Sequence, residues 1–489
     1  MSQGVISVLI IVVYLIAMLT ISVIHGKKAK ANKNAVSFFL ANRGVSSVLL
    51  PLTMIAAMQS TFAFLGAPGM YYTHGVSYIV IVLSQVWVAL MVIYFGNKVR
   101  KLAVERGYMS IGDYFQDRYK SKYIKIVASI VSVVMTMVFL AMQYVGNARA
   151  ISVVSNGVIS YNVAIIINVL FSLAYVLIGG AGGVVMLDAI QAVILIVGIV
   201  VAAIVALVPT GGIVNLFTQI KDIDPTLLSR PGAKGMYTGS YWFMQFIVLP
   251  FGIWLCPHVW MKSLMAKDEK ALAKSAISIP VSQLLIFGFS TLFIGLAGHI
   301  LVNAGDLSAA DNVLPVLMLQ NFNWVGAALI MAAAIAAGMS TINSMLLAVS
   351  QIMSQDLILI NKKGKISDSQ NMKLSRTVVL IVAIICALIA LDPPETLVQI
   401  VQDVAYTGLA QLAPPFVLGL YWKDNSRLGA ALGLTVGELI LFATRIIGVS
   451  PLGIPGFMWG FVINILLNVI VSLIVKNKNS RQTASLEEA

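Results

Sequence analysis

The chain has 489 residues, of which 59% are hydrophobic and only 10% charged, with a formal net charge of +13. Charged residues make up about 25% of an ordinary soluble domain, so this chain has too little polar surface to cover a globule in water. Its apolar stretches approach the ~20 residues a helix needs to cross the hydrocarbon, which excludes a water-soluble fold and makes the lipid bilayer its solvent.

In chain order the apolar spans run 3–25, 46–70, 77–96, 126–148, 159–178, 185–208, 240–261, 275–303, 325–353, 377–391, 396–421, 428–447 and 452–475. The first could be read as a signal peptide, but it lacks a basic leading region and an obvious small-residue cleavage site. The expected fold is an all-α integral membrane protein with thirteen transmembrane helices. It forms one transmembrane domain over 1–489: a first helix and loop in 1–45, a ten-helix core in 46–421, and two last helices with a tail in 422–489. The polar tail after Val475 is expected to be disordered.

The basic excess sits in alternate connections. Segments 26–44, 97–125, 262–274, 359–376, 422–428 and 476–489 hold 27 of the 32 Lys and Arg residues. By the positive-inside rule these face the cytoplasm, with the N-terminus outside and the C-terminus inside. The charge is thus a topology signal and gives no reason to expect nucleic acid. Cys256 and Cys386 both fall inside spans, so neither a disulfide framework nor a zinc site is indicated. Gly179 to Gly183 lacks a following Gly-Lys-Ser/Thr, so no phosphate-binding loop is indicated either.

Two spans carry breaks. Span 2 reads Thr53-Met54-Ile55-Ala56-Ala57-Met58-Gln59-Ser60-Thr61 and then Gly66-Ala67-Pro68-Gly69, and span 7 contains Leu249-Pro250-Phe251-Gly252 and Cys256-Pro257-His258. Such breaks free backbone carbonyls that lipid cannot satisfy, so they persist where they line a cavity inside the protein. Span 7 follows span 2 by five spans and crosses in the opposite direction. That is the pattern of a five-plus-five inverted repeat, spans 2–6 against 7–11, with solute and ion held at the broken helices. The bland alternative is that Pro and Gly are simply commoner in membrane helices.

In span 9, Ala337, Ser340, Thr341 and Ser344 fall at i, i+3, i+4 and i+7, one face of a helix. Two adjacent hydroxyls there offer oxygens to a hard cation, and a monovalent one needs no carboxylate. Small residues and hydroxyls are equally what helix–helix interfaces in membranes use. Asp188, about one turn inside span 6, is a functional candidate as an intramembrane ionisable group. Its alternative is an inner-mouth carboxylate, solvated or paired with a loop lysine.

At Ala337-Gly338-Met339-Ser340-Thr341-Ile342-Asn343, and at Gly179-Gly180-Ala181-Gly182-Gly183 followed by Asp188 and Gln191, the chain resembles the sodium:solute symporter family. Gln143-Tyr144-Val145-Gly146-Asn147-Ala148-Arg149, Pro257-His258, Pro393-Pro394-Glu395 and Gly419-Leu420-Tyr421-Trp422 are similar to sodium/pantothenate symporters within it. The resemblance implies a core of the LeuT type and sodium as a co-transported ion. It implies a sodium site with carbonyls from Ala56, Gln59 and Ala337 and hydroxyls from Ser340 and Thr341. A further sodium site would use Asp188 and Ser344, although Asn343 stands where a serine would complete it. The substrate is expected to touch Met58, Ser60, Thr61, Phe139, Gln143, Ile253, Trp254, Gln402 and Tyr406.

The resemblance further implies a multi-pass protein of a bacterial inner membrane. There it would carry a small organic solute inward with sodium, with the carboxylate pantothenate as the expected solute, and would not act as an enzyme. The alternatives are another small monocarboxylate or a membrane solute sensor that no longer transports. No lysine or arginine lies at mid-membrane to clamp a carboxylate in this reading. Met58 stands where related transporters carry an aspartate for an amino group, which argues against an amino acid. Arg149 reads as a gate or structural residue, His258 as a packed or capping histidine, and Glu438 with Arg445 as a structural or oligomer-facing pair.

Overall fold

The computed structural model describes residues 3–29, 34–307, 309–361, 366–392 and 400–487. Among them every regular element is helical, apart from one parallel bridge between Val45 and Ala266. Backbone amides have no water partner inside a bilayer, so helices, which satisfy them internally, are the expected currency.

Among the described residues nine helices are long and apolar enough to cross a membrane, or ten if one bent pair is a single span. The sequence suggested thirteen. The difference has a physical source in two helical runs that each exceed one bilayer. Phe62–Arg106 has 45 residues and Tyr161–Leu207 has 47, about 70 Å each at 1.5 Å per residue, against a hydrocarbon core of about 30 Å. Each contains one glycine with backbone angles outside the helical region, Gly75 (φ 66, ψ −154) and Gly180 (φ 54, ψ −162). Only glycine adopts such angles without strain. At Gly180 a Cβ would also press on the Phe38 ring at 3.1 Å.

We label the helices α1 (Gln3–Ala29), α2 (Leu49–Met58), α3 (Ala67–His74), α4 (Val80–Met91), α5 (Lys122–Val154) and α6 (Tyr161–Leu207). They continue as α7 (Gly239–Leu255), α8 (Pro257–Met265), α9 (Glu269–Gln283), α10 (Trp324–Gln351), α11 (Asp368–Ala390), α12 (Ala413–Tyr421), α13 (Arg427–Ile447) and α14 (Gly456–Glu487). The last helix runs through to Glu487 where the sequence suggested a disordered tail, since no proline or glycine follows Gly460 to stop it. Pro393-Pro394-Glu395 and the start of span 11 lie outside the described residues.

Burial separates centre from rim. The most apolar stretch of the α10 span is 83% buried, whereas those of α1 and α14 are 28% buried. Every residue of α10 from Ile330 to Gln351 is buried, as expected for a helix that is apolar all round and enclosed by other helices. It packs against α5, α6 and α2, so its hydroxyl-bearing face meets protein and not acyl chains.

Candidate ion and solute site

Span 2 is broken at Gln59-Ser60, the first of the two interruptions read in the sequence, while Gly66-Ala67-Pro68-Gly69 continues as helix. α2 ends at Met58, Gln59 is extended (φ −103, ψ 127), and Ser60 starts the next helical segment by accepting a bond from the Phe62 amide at 3.2 Å. Serine is favoured there because its side chain replaces a helix carbonyl as acceptor. A helix end leaves carbonyls without intrahelical partners, and here they can be followed one by one. The Ile55 carbonyl takes the Gln59 amide at 2.9 Å. The Ala57 carbonyl faces His258 Nε2 at 3.1 Å. The carbonyls of Ala56 and Gln59 are left to α10.

Ser340 and Thr341 supply their partners. Ser340 Oγ donates to the Ala56 and Ala337 carbonyls at 3.2 and 2.8 Å. Thr341 Oγ1 lies 2.9 Å from the Gln59 carbonyl, 3.2 Å from that of Ala337 and 3.4 Å from that of Ala56. Ala56, Gln59, Ala337, Ser340 and Thr341 are all fully buried. Five neutral oxygens from two elements therefore converge on one point in the buried interior. A hydroxyl hydrogen can rotate away, turning this cluster into a set of acceptors suited to a small hard cation.

Span 7 is broken as well. α7 and α8 meet at Cys256 with a bend of 58°. His258, near the start of α8, bridges the two broken spans through the Ala57 carbonyl, and its Nδ1 lies 3.3 Å from Cys256 Sγ. Because a carbonyl oxygen only accepts, Nε2–H is the donor in this contact. His258 thus caps a freed carbonyl. His258→Gln, whose amide can still donate, is expected to retain sodium-driven uptake, while His258→Ala leaves a buried carbonyl unpaired at a cost of about 1–3 kcal/mol. Uptake and thermal stability of the purified variants check this, and equal losses in both would remove the capping role.

A second cluster lies one helical turn away. Asp188 Oδ2 accepts from Thr53 Oγ1 at 2.8 Å, from Ser344 Oγ at 3.0 Å and from Lys262 Nζ at 2.7 Å. Lys262 and Asp188 are both completely buried. This corrects the sequence reading, which left Lys262 in a basic connection at 262–274. The 58° bend carries α8 back against α2 and α10, so its last turn lies inside the protein. Thr53 and Lys262 were missed as site residues. The signal for Thr53 was its place one turn before Ala56; for Lys262 it was Pro257, five residues earlier.

The expected solute contacts are not all in one place. The Phe139 and Tyr406 rings meet edge to face at 5.3 Å, with His258 at 6.1 Å from Phe139. Thr61 Oγ1 donates to Asn147 Oδ1 at 2.7 Å, joining spans 2 and 4. Gln402 reaches the Tyr78 hydroxyl at 3.4 Å. Trp254 packs instead with Phe95, Trp260 and Phe416. Ile253 and Ser60 are buried and Met58 is half-buried. Among the described residues no hydrogen-bond partner reaches either amide atom of Gln59 or the Gln143 amide oxygen. Buried amides without partners are rare and mark places where a polar ligand or water can bind.

The remaining polar residues sort simply. Arg149 faces Asp311 across 3.7 Å, linking the end of α5 to the loop before α10. Glu438 does not pair with Arg445 as expected: neither of its carboxylate oxygens meets a partner among the described residues. Arg445 instead lines a cavity of about 450 Å³ together with Asp403 and Tyr241.

Comparison with known proteins agrees with this arrangement. A model of the sodium:solute symporter family matches residues 38–437. The chain is 28% identical to the sodium/pantothenate symporter of Haemophilus influenzae, with 90% of each chain covered. It is 27% identical to that of Escherichia coli, covering 91% of this chain and 92% of the relative. The osmoregulated proline transporter OpuE of Bacillus subtilis is 26% identical, with 95% and 94% covered. A solved Na+-coupled sialic acid symporter, in a substrate-bound outward-open state, superposes with a TM-score of 0.80 at 21% identity, over 97% of this chain and 98% of that one. The chain belongs to the sodium:solute symporter family: it is a membrane transporter and not an enzyme, and sodium is the ion it co-transports.

Proposed function

We propose that the chain carries pantothenate, a small hydroxylated monocarboxylate, into a bacterial cell together with sodium. The observation that carries the sodium half is the convergence of the Ala56, Gln59 and Ala337 carbonyls with the Ser340 and Thr341 hydroxyls at the break in span 2. The solute half is supported by the two pantothenate relatives and by the chemistry around the break. Gln59, Gln143, Ser60 and Thr61 offer amide and hydroxyl groups, and the Phe139–Tyr406 pair offers an apolar wall. Binding sites of this kind combine a few directed polar groups with a mostly apolar lining.

In this reading the chain crosses the inner membrane thirteen times, N-terminus outside and C-terminus in the cytoplasm. The two runs of 45 and 47 residues each supply more than one crossing, divided at Gly75 and Gly180. The breaks at Gln59–Ser60 and Cys256 lie at matching positions of a five-plus-five inverted repeat. Sodium at the span-2/span-9 site favours the outward-open state, and binding of both solutes then permits rocking to the inward-open one.

The test is uptake into proteoliposomes with an imposed inward sodium gradient, using radiolabelled pantothenate, proline and short monocarboxylates. Pantothenate is expected to accumulate only with the gradient. Sodium-driven uptake of proline or another acid without pantothenate would reassign the solute, and accumulation of none would favour a sensor.

A further inference from the structure

Lys262 occupies a position with the chemistry of a cation site. It lies in the last turn of α8, which packs against both α2 and α10. Its Nζ is 2.7 Å from Asp188 Oδ2 and 2.7 Å from Thr53 Oγ1, and Ser344 Oγ donates to the same carboxylate oxygen at 3.0 Å. These are distances of charge-assisted hydrogen bonds. Ser344 lies one turn beyond Ser340 and Thr341 on the same face of α10, and Thr53 one turn before Ala56 on α2. The ammonium is therefore about one helical turn, roughly 5 Å, along the same helix faces from the five-oxygen cluster.

We infer that the Lys262 ammonium is a tethered cation holding the oxygens of Asp188, Thr53 and Ser344 in place of a second sodium, so that one sodium accompanies each solute. The inference rests on the symport reading above and fixes its stoichiometry. A buried charge is tolerated when it is paired, and the Lys262–Asp188 pair is already neutral. Asp188 Oδ1 accepts no bond from the described residues. An ion placed there would nonetheless leave a net positive charge in a fully buried site, where like charges repel strongly. The lysine also ties the second half of broken span 7 to span 6 through Asp188 and to span 2, which with span 9 carries the sodium donors. A free ion at this point would have to bind and leave in every cycle; a tethered one stays.

The energetic consequence is specific. One sodium moved inward gains from the membrane potential, but a monoanion moving with it cancels that gain. Uptake of a monoanion is then electroneutral, and a tenfold sodium gradient supports only about tenfold accumulation.

The test counts sodium ions. Saturation binding of radioactive sodium is measured on the purified wild-type chain, on Lys262→Met and on the charge-neutral double variant Lys262→Met/Asp188→Asn. One sodium per chain is expected for the wild type and the double variant, and two for Lys262→Met, where Asp188 must recruit a new counter-ion. Two sodium ions on the wild type, or one on a folded Lys262→Met, would overturn the inference. If Lys262→Met does not fold, the wild-type and double-variant counts decide the matter. No sodium binding by the wild type would fail the symport reading itself, a result distinct from a count of two.

Discussion

Thr341→Ala is expected to abolish sodium-driven uptake at physiological sodium, with the chain still folded and inserted. The Thr341 hydroxyl faces three carbonyls at once, those of Gln59, Ala337 and Ala56. Its removal deletes one oxygen of the five and leaves the Gln59 carbonyl, at the broken end of α2, without its α10 partner. A buried acceptor stripped of its partner costs about 1–3 kcal/mol. If the bound ion loses a comparable amount, its affinity falls by about 5- to 150-fold. Ser340→Ala is expected to act in the same direction, because Ser340 Oγ serves the Ala56 and Ala337 carbonyls. Thr341→Ser keeps the hydroxyl and loses only a methyl, so sodium affinity near the wild-type value is expected. The measurement is direct sodium binding to purified protein, which needs no knowledge of the solute. Unchanged sodium affinity in both alanine variants would remove the site from span 9.

The break in span 2 and the hydroxyl-bearing face of span 9 were legible in the sequence because their information is local, whereas their pairing was implied only by the family resemblance. Gln59-Ser60 interrupts an apolar run, and Ala337, Ser340, Thr341 and Ser344 fall on one face at helical spacing; either signal can be read without knowing what lies opposite. The number of crossings was less legible by length. Gly75 and Gly180 turn the chain without ending its helical hydrogen bonding, so two apolar segments become one long run. Lys262 was misplaced for a third reason. Counting basic residues by connection assumes that a lysine at a span's edge faces water, and a 58° bend at Cys256 defeats that assumption. Asp188 was recognised as exceptional, and one of its two readings, a carboxylate paired with a lysine from the basic connection, holds in a form the sequence did not suggest: fully buried. The solute contacts were least legible, because side chains from four spans must converge and periodicity says nothing about which spans touch. Trp254, which joins Phe95, Trp260 and Phe416, shows the limit.

Gly338→Ala is expected to cost nearly as much function as the loss of a sodium donor, although Gly338 donates nothing. A Cβ at Gly338 would fall 1.9 Å from Asn147 Oδ1 and 2.1 Å from Thr61 Oγ1. Those two atoms form the 2.7 Å hydrogen bond that joins span 2, just past its break, to span 4. The glycine therefore lets α10 lie directly on that bond, which in turn sets how close Ala56 and Gln59 come to Ser340 and Thr341. Overpacking of a close-packed interior commonly costs about 1–3 kcal/mol, and here the displacement falls on the helix that carries the donors. Sodium affinity is expected to drop by at least about tenfold, since 1.4 kcal/mol is enough for that factor. Relief should follow from shrinking the obstacle: Gly338→Ala combined with Asn147→Ser and Thr61→Ala is expected to recover part of the affinity. Sodium binding by the single and triple variants, with thermal stability as a control for folding, checks the claim. A Gly338→Ala protein that binds sodium like the wild type would mean that spans 4 and 9 can separate freely without moving the donors, and the close contact would then have no part in forming the site.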